Sequence, residues 1–216
     1  MDMCKGYAAA LLAGLWVGVI ASASAAPVIS EVLYDASGTD AGNVFVELFG
    51  TPGESLDGLM LEGVNGGNGA IYLSVLLAGV MPADGVFVIG DDNGGVTSVA
   101  NVDFIADVDF QNGPDSVVLR NAGGILDAVG YGNFSASDIF SGEGLSAPDP
   151  VSGSSIARFD LAVDTDDNSV DFIVLETPTP GFVPEVATVP VPPAAFLFAS
   201  GLMLLAKTAR GGRKIS

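Results

Sequence analysis

Short apolar stretches rich in β-branched and aromatic residues recur along most of the chain, and none shows a sustained 3.6-residue period. Clusters of Gly, Asp, Asn and Pro separate them, as in 65–69 and 91–95. This alternation of short strands and turns predicts an all-β domain, an antiparallel sandwich or barrel, and we favour the sandwich. The predicted strands are Val28–Tyr34, Val44–Phe49, Leu59–Val64, Ile71–Leu77, Val86–Ile89, Phe104–Phe110, Ser116–Arg120, Ile125–Tyr131, Ser155–Phe159 and Asp171–Leu175.

The N-terminal segment has the three parts of a secretory signal. Lys5 supplies a positive charge, and the apolar stretch from Ala8 to Ile20 follows it. Small residues then include Ala23 and Ala25, which match an A-x-A cleavage site. We therefore expect residues 1–25 to be a signal peptide, although a permanent N-terminal anchor is the alternative. The apolar stretch is shorter than the ~20 residues that a membrane span needs, which favours the signal peptide.

A second apolar run stands near the C-terminus, where residues 194–206 precede a basic tail. The prolines Pro190 and Pro192 lie just before it and prevent a continuous helix into the domain. Basic residues after the run place the tail on the cytoplasmic side, with the acidic domain exported. We therefore expect a Pro-rich linker at 183–193 and a membrane segment, a short helix with a basic tail, at 194–216.

This layout resembles the PEP-CTERM sorting signals of Gram-negative bacteria, and the run 189–193 is similar to the variant that opens V-P-x-P-x-A. The resemblance implies that an exosortase-type enzyme processes the chain. The protein would be anchored in the inner membrane on the periplasmic side, then released or passed to the cell surface. Pro190 and Pro192 would belong to the processing signal. A simple tail anchor is the alternative.

Short sequence motifs recur in order along residues 28–182. Those of the opening predicted strands are 29–35, 44–48 and 56–61, and later ones fall at 113–119 and 129–132. Further motifs are 154–158, 164–168, 171–172 and 179–181. In order and spacing, these motifs resemble those of bacterial lamin-tail (LTD) domains. The resemblance implies an immunoglobulin-like β-sandwich over the predicted domain 26–182.

The composition excludes several chemistries. Between Gly6 and Ala206 the chain has 25 acidic residues against two basic ones, Arg120 and Arg158, a net charge of −23. Such a surface repels nucleic-acid backbones. Without His and with Cys4 as the only thiol, the chain has no Ser-His-Asp or Cys-His system, no zinc site of His or Cys ligands and no internal disulfide. We therefore expect a protein that is not an enzyme.

The acidic loop at 164–168 is the candidate metal site. Asp164, Asp166, Asp167 and Asn168 offer closely spaced oxygen ligands of the kind that Ca²⁺ prefers. The loop is not an EF-hand, and Asx side chains also shape turns by accepting backbone N–H groups. That structural role is the favoured alternative, with Arg158 as the expected carboxylate partner. No other cofactor is predicted.

Two glutamates in neighbouring predicted strands, Glu31 and Glu47, form the other candidate group. A pair of acids could carry out general acid–base chemistry if burial raised one pKa. We expect instead that they face solvent, or that one accepts Arg120 or backbone N–H groups. The predicted function is a non-catalytic interaction or structural domain of the envelope or extracellular matrix that contacts envelope protein or polysaccharide. A carboxylate-based glycan hydrolase and a Ca²⁺-dependent surface matrix protein are the alternatives.

Overall fold

The computed structural model describes residues 26–182, which form ten strands and one short helix, and the predicted all-β class is confirmed. Each of the ten predicted apolar stretches contributes one strand. The strands are β1 (Val28–Leu33), β2 (Phe45–Phe49), β3 (Met60–Asn65), β4 (Ile71–Leu76), β5 (Val86–Asp91), β6 (Phe104–Ala106), β7 (Asp115–Asn121), β8 (Gly124–Tyr131), β9 (Ser155–Arg158) and β10 (Phe172–Leu175), with helix α1 (Asn168–Asp171) before β10.

The strands form two sheets. One has six strands in the order β10-β9-β1-β2-β5-β6, and the other has four in the order β4-β3-β7-β8. Neighbouring strands are antiparallel except β5 and β6, which pair in parallel, so the prediction of a purely antiparallel structure is wrong at this pair. The reason is the connection at 92–103, which crosses the outer face of the sheet and brings β6 back beside β5 in the same direction.

The main core lies between the two sheets. Alternate residues of β2 and β5, such as Leu48 and Ile89, meet Leu61, Leu119 and Val129 of the four-stranded sheet. Burial of these side chains supplies most of the hydrophobic stabilisation of a two-layer β structure.

A second apolar cluster covers the outer face of the six-stranded sheet. Phe45, Val86 and Val88 form it, and Val99 and Val102 from the crossing connection pack against them. As a result β5 is buried along its whole length, on both faces, which explains its continuous apolar sequence.

The predicted signal peptide, with Ala23 and Ala25, lies outside the described residues. So do the linker and the C-terminal membrane segment, with Pro190 and Pro192. Among residues 26–182 no helix is long and apolar enough to cross a membrane.

Candidate functional site

Arg158 is the centre of a buried ion-pair network. Its guanidinium is fully buried and lies 3.2 Å from a carboxylate oxygen of Asp127, 3.1 Å from Asp171 and 3.3 Å from Asp164. It also stacks over the Phe172 ring, at 4.8 Å from the ring centre. The predicted contact between Arg158 and the acidic loop is therefore confirmed.

Asp127 links the two sheets through this network. It belongs to β8 of the four-stranded sheet, yet its carboxylate accepts the backbone N–H of Ile29 in β1 and pairs with Arg158 in β9. Burial raises the pKa of Asp127, and the charge of Arg158 opposes that rise. A fully buried carboxylate is stable here because a cation and a backbone donor both face it.

The acidic loop uses most of its predicted calcium ligands as hydrogen-bond acceptors. Asp164 pairs with Arg158, and it also accepts the backbone N–H of Asp166, whose φ is 55°. Asp167 caps helix α1 by accepting the N–H of Ser169. The same oxygen accepts the N–H of Leu145 at 3.2 Å. These are the Asx turn and capping contacts expected from the structural alternative.

Asn168 is fully buried and connects three segments of chain. Its side-chain oxygen accepts the backbone N–H groups of Gly130 and Glu143 at 2.9 and 3.0 Å. Its amide group donates to the carbonyl of Ala128 at 2.8 Å. The oxygen that the sequence offers to a metal thus faces two N–H donors at the edge of β8.

A different set of carboxylates lies close enough to hold a cation. One oxygen each from Asp127, Glu143 and Asp164 lies within 4.8 Å of the others. Glu143 has a buried oxygen, Oε2, without a hydrogen-bond partner among the described residues. Burial raises the pKa of Glu143 to about 8, aided by the charges of Asp127, Asp164 and Asp166 and opposed by Arg158.

Only Asp164 belongs both to this carboxylate group and to the four residues predicted from the sequence. Asp127 and Glu143 are 37 and 21 positions before Asp164, so no local spacing could have joined the three acids. The calcium site at Asp164, Asp166, Asp167 and Asn168 stays a prediction. Of these four residues, only Asp164 lies close to further carboxylates that could hold a cation with it, those of Asp127 and Glu143.

Glu31 and Glu47 form a buried pair on the outer face of the six-stranded sheet. They are opposite each other in β1 and β2, and each is only 2% exposed. The expectation that they face solvent is therefore wrong. Arg120 does not reach them, since it pairs with Glu62 on the other sheet at 3.4 Å.

The segment Thr179–Phe182, here called the strap, covers this glutamate pair. Glu31 accepts the backbone N–H of Thr179 at 2.9 Å and its hydroxyl at 2.8 Å. Glu47 accepts the N–H of Gly181 at 2.8 Å. The Ser155 hydroxyl donates to the same Glu31 oxygen, Oε1, as the Thr179 N–H, and the Ser30 hydroxyl donates to the remaining oxygen of Glu47. A backbone N–H donor was expected for one of the two acids, and the structure places one at each.

Two apolar grooves flank these groups. The first, of about 220 Å³, lies beside the strap, where Phe159, Ile173 and Phe182 line it together with the glutamate pair. The second, of about 550 Å³, lies where Leu126 and Val163 meet the start of β1. These concave surfaces can accept apolar groups of a partner.

The described residues thus define a two-layer, sandwich-like all-β domain with buried carboxylates. No family model matches the chain, and no curated protein matches it well enough to count as a relative. The resemblances to lamin-tail domains and to PEP-CTERM signals therefore stay predictions.

Proposed function

We propose that the protein is an exported, non-catalytic interaction or structural domain of the bacterial envelope or extracellular matrix. The domain would be an immunoglobulin-like sandwich of the lamin-tail kind, held in the membrane by its tail until an exosortase-type enzyme processes it. The proposal that the domain is non-catalytic rests on the hydrogen bonds of Glu31 and Glu47. All four of their carboxylate oxygens accept hydrogen bonds from within the domain.

Carboxylate catalysis makes demands that this pair does not meet. A glycosidase needs two acids that face one cleft, about 5–10 Å apart, with access for the sugar and for water. Here the strap lies over both acids, and each is 2% exposed. The pair therefore stabilises the outer face of the sheet.

The charge of the domain supports a role at a hydrated surface. Residues 26–182 contain 24 acidic side chains, and both of their arginines are paired with carboxylates. High negative charge keeps such a domain soluble and repels nucleic acid. Neutral polysaccharide, envelope protein with basic patches and divalent cations remain as suitable partners.

One observation favours the hydrolase alternative and has to be tested. Burial raises the pKa of Glu47 to about 7, which is a suitable value for a general acid. This carboxyl also lines the groove of about 220 Å³. If the strap moved away, a substrate could reach the pair.

Incubation of the full chain with isolated envelope polysaccharide distinguishes the two functions. The proposal predicts retention of the protein on the polysaccharide without new reducing ends, and equal retention by Glu47→Gln. Release of reducing ends by the natural chain, lost in Glu47→Gln but kept in the control Glu62→Gln, would establish the hydrolase. Retention that requires calcium would favour the matrix alternative.

A further inference from the structure

The strap is seated closely on the outer face of the sheet. It crosses β1 and β2, where Thr179 and Gly181 meet the glutamate pair, and its Pro180 carbonyl accepts the side-chain amide of Asn101 at 2.8 Å. Gly181 has φ 79°, and a Cβ there would lie 2.5 Å from Cβ of Asn101. Only glycine fits this position without a shift of the neighbouring chain.

Among residues 26–182, no cation compensates the two carboxylates beneath the strap. Within residues 26–182 the cationic side chains are Arg120 and Arg158, and both are engaged with other acids. The charged groups beside Glu47 are acidic as well, Glu31 on β1 and Asp84 before β5, and Asp103 before β6 lies beside the strap. Burial and these neighbouring acids favour the protonated form of the Glu47 carboxyl.

The hydrogen bonds show where this proton can reside without disturbing the strap. Ser30 Oγ lies 2.7 Å from Oε1 of Glu47, and a hydroxyl oxygen can accept as well as donate. A proton on Oε1 can therefore be donated to Ser30, while Oε2 still accepts the N–H of Gly181. The protonated pair keeps all of its contacts with the strap.

Loss of the Glu47 proton to solvent leaves a buried negative charge that no cation among residues 26–182 compensates. The half-buried strap lies over this charge, and water can reach it only if the strap lifts. We propose that the strap is a proton-linked latch: it lies closed over the glutamate pair while Glu47 is protonated, and it opens when Glu47 ionises.

The titration of Glu47 determines whether the strap opens with rising or falling pH, and over which pH range. Burial above all, with the charges of Glu31 and Asp84, raises its pKa to about 7, although the donors Gly181 and Ser30 oppose the rise. The closed state therefore binds the proton more tightly than an open, hydrated state. Linkage then requires that acid closes the strap and that rising pH opens it near neutrality.

Opening would uncover the groove beside the strap. The outer surfaces of Ala157 and Ile173 line that groove, and Phe182 at its rim is 64% exposed. The latch would thus couple pH to the exposure of an apolar surface. This inference does not depend on the proposed function.

Hydrogen exchange of the full chain in detergent micelles tests the latch directly. Mass spectrometry would follow the peptide 176–182 at pH 6 and pH 8.5, with intrinsic exchange rates divided out. If the pKa of Glu47 falls from about 7 to its ordinary value of 4.5 on opening, the opening constant rises about tenfold over this range. A peptide from β7 should show no comparable change.

Two variants separate titration from general loosening. Glu47→Gln keeps an uncharged group of the same shape, so its protection should vary by less than about twofold between the two pH values. Glu62→Gln makes the same change on the other sheet and should behave like the natural chain. An unchanged protection in the natural chain, or an equal change in Glu47→Gln, would overturn the proposal.

A carboxyl titration by ¹³C NMR on the natural full chain gives an independent result if a variant fails to fold. The latch predicts that Glu47 titrates between pH 6 and 8 and that the amide signal of Gly181 shifts with it. A midpoint below pH 5 would overturn the latch, as would a Gly181 signal that does not respond.

Discussion

Arg158 is the residue whose replacement should damage the domain most. Its guanidinium is fully buried and faces three aspartates from three segments of chain: Asp127 in β8, Asp164 in the acidic loop and Asp171 in α1. Arg158→Met keeps the stem but leaves Asp127 and Asp171 buried without a cation. Removing one partner of a buried ion pair costs about 3–5 kcal/mol, a large part of the stability of an ordinary domain.

The loss should depend on pH with a definite sign. Burial already raises the pKa of Asp127, and Arg158 limits that rise, so the variant should raise it further. A carboxyl whose pKa is higher in the folded state than in the unfolded state gains stability as the pH falls. The deficit of Arg158→Met relative to the natural chain should therefore shrink between about pH 7.5 and pH 5.

Urea unfolding of the full chain, followed by circular dichroism, measures this deficit. Arg120→Met is the matched control, because its pair with Glu62 involves an arginine side chain that is 41% exposed. Such a pair should contribute no more than about 1 kcal/mol. Equal losses in the two variants, or an Arg158→Met deficit that stays constant with pH, would refute the role assigned to the network.

Three further predictions concern other buried groups. With a pKa of about 7 for Glu47 in the fold and 4.5 when unfolded, stability should fall by about 2–3 kcal/mol from pH 5 to pH 8, and urea midpoints of Glu47→Gln should lack this component. Asn168→Ala leaves the N–H groups of Gly130 and Glu143 and the carbonyl of Ala128 without their side-chain partner, so it should cost at least about 2 kcal/mol of stability in the same assay. The control Asn133→Ala, at an exposed site, should cost less than about 1 kcal/mol. If Asp127, Glu143 and Asp164 hold Ca²⁺, millimolar Ca²⁺ should raise the thermal midpoint of the natural chain, and Glu143→Gln should cancel the rise. Identical midpoints in Ca²⁺ and in EGTA would remove the calcium prediction and leave the acidic loop with its structural role.

The strands were predictable because their signal is local. Stretches such as 86–89 and 125–131 combine β-branched residues with Gly, Asp or Asn at each end, and the structure places β5 and β8 there. The contact of Arg158 with the acidic loop was also predictable, since only two cations serve the whole domain. Pairing order and the parallel β6 depend on distant contacts, which local patterns do not record.

The burial of Glu31 and Glu47 could not be predicted, because alternation gives the face of a strand but not what covers that face. The strap that covers them lies 148 and 134 residues further along the chain, at Thr179 and Gly181. Glu143 shows the same limit, since its buried oxygen results from the packing of its loop against Asn168 and β8. These side chains gain their roles only through tertiary contacts.

Mass spectrometry of the protein recovered from the producing bacterium tests the central claim of export and processing most directly. The proposal predicts a chain that begins at Ala26 in every exported fraction, with the tail present in the membrane fraction. It also predicts a released fraction that has lost residues 194–216 but keeps the strap through Phe182. A cytoplasmic chain that retains residues 1–25 would contradict the proposal, and an exported chain whose tail is always intact would replace processing with a permanent tail anchor.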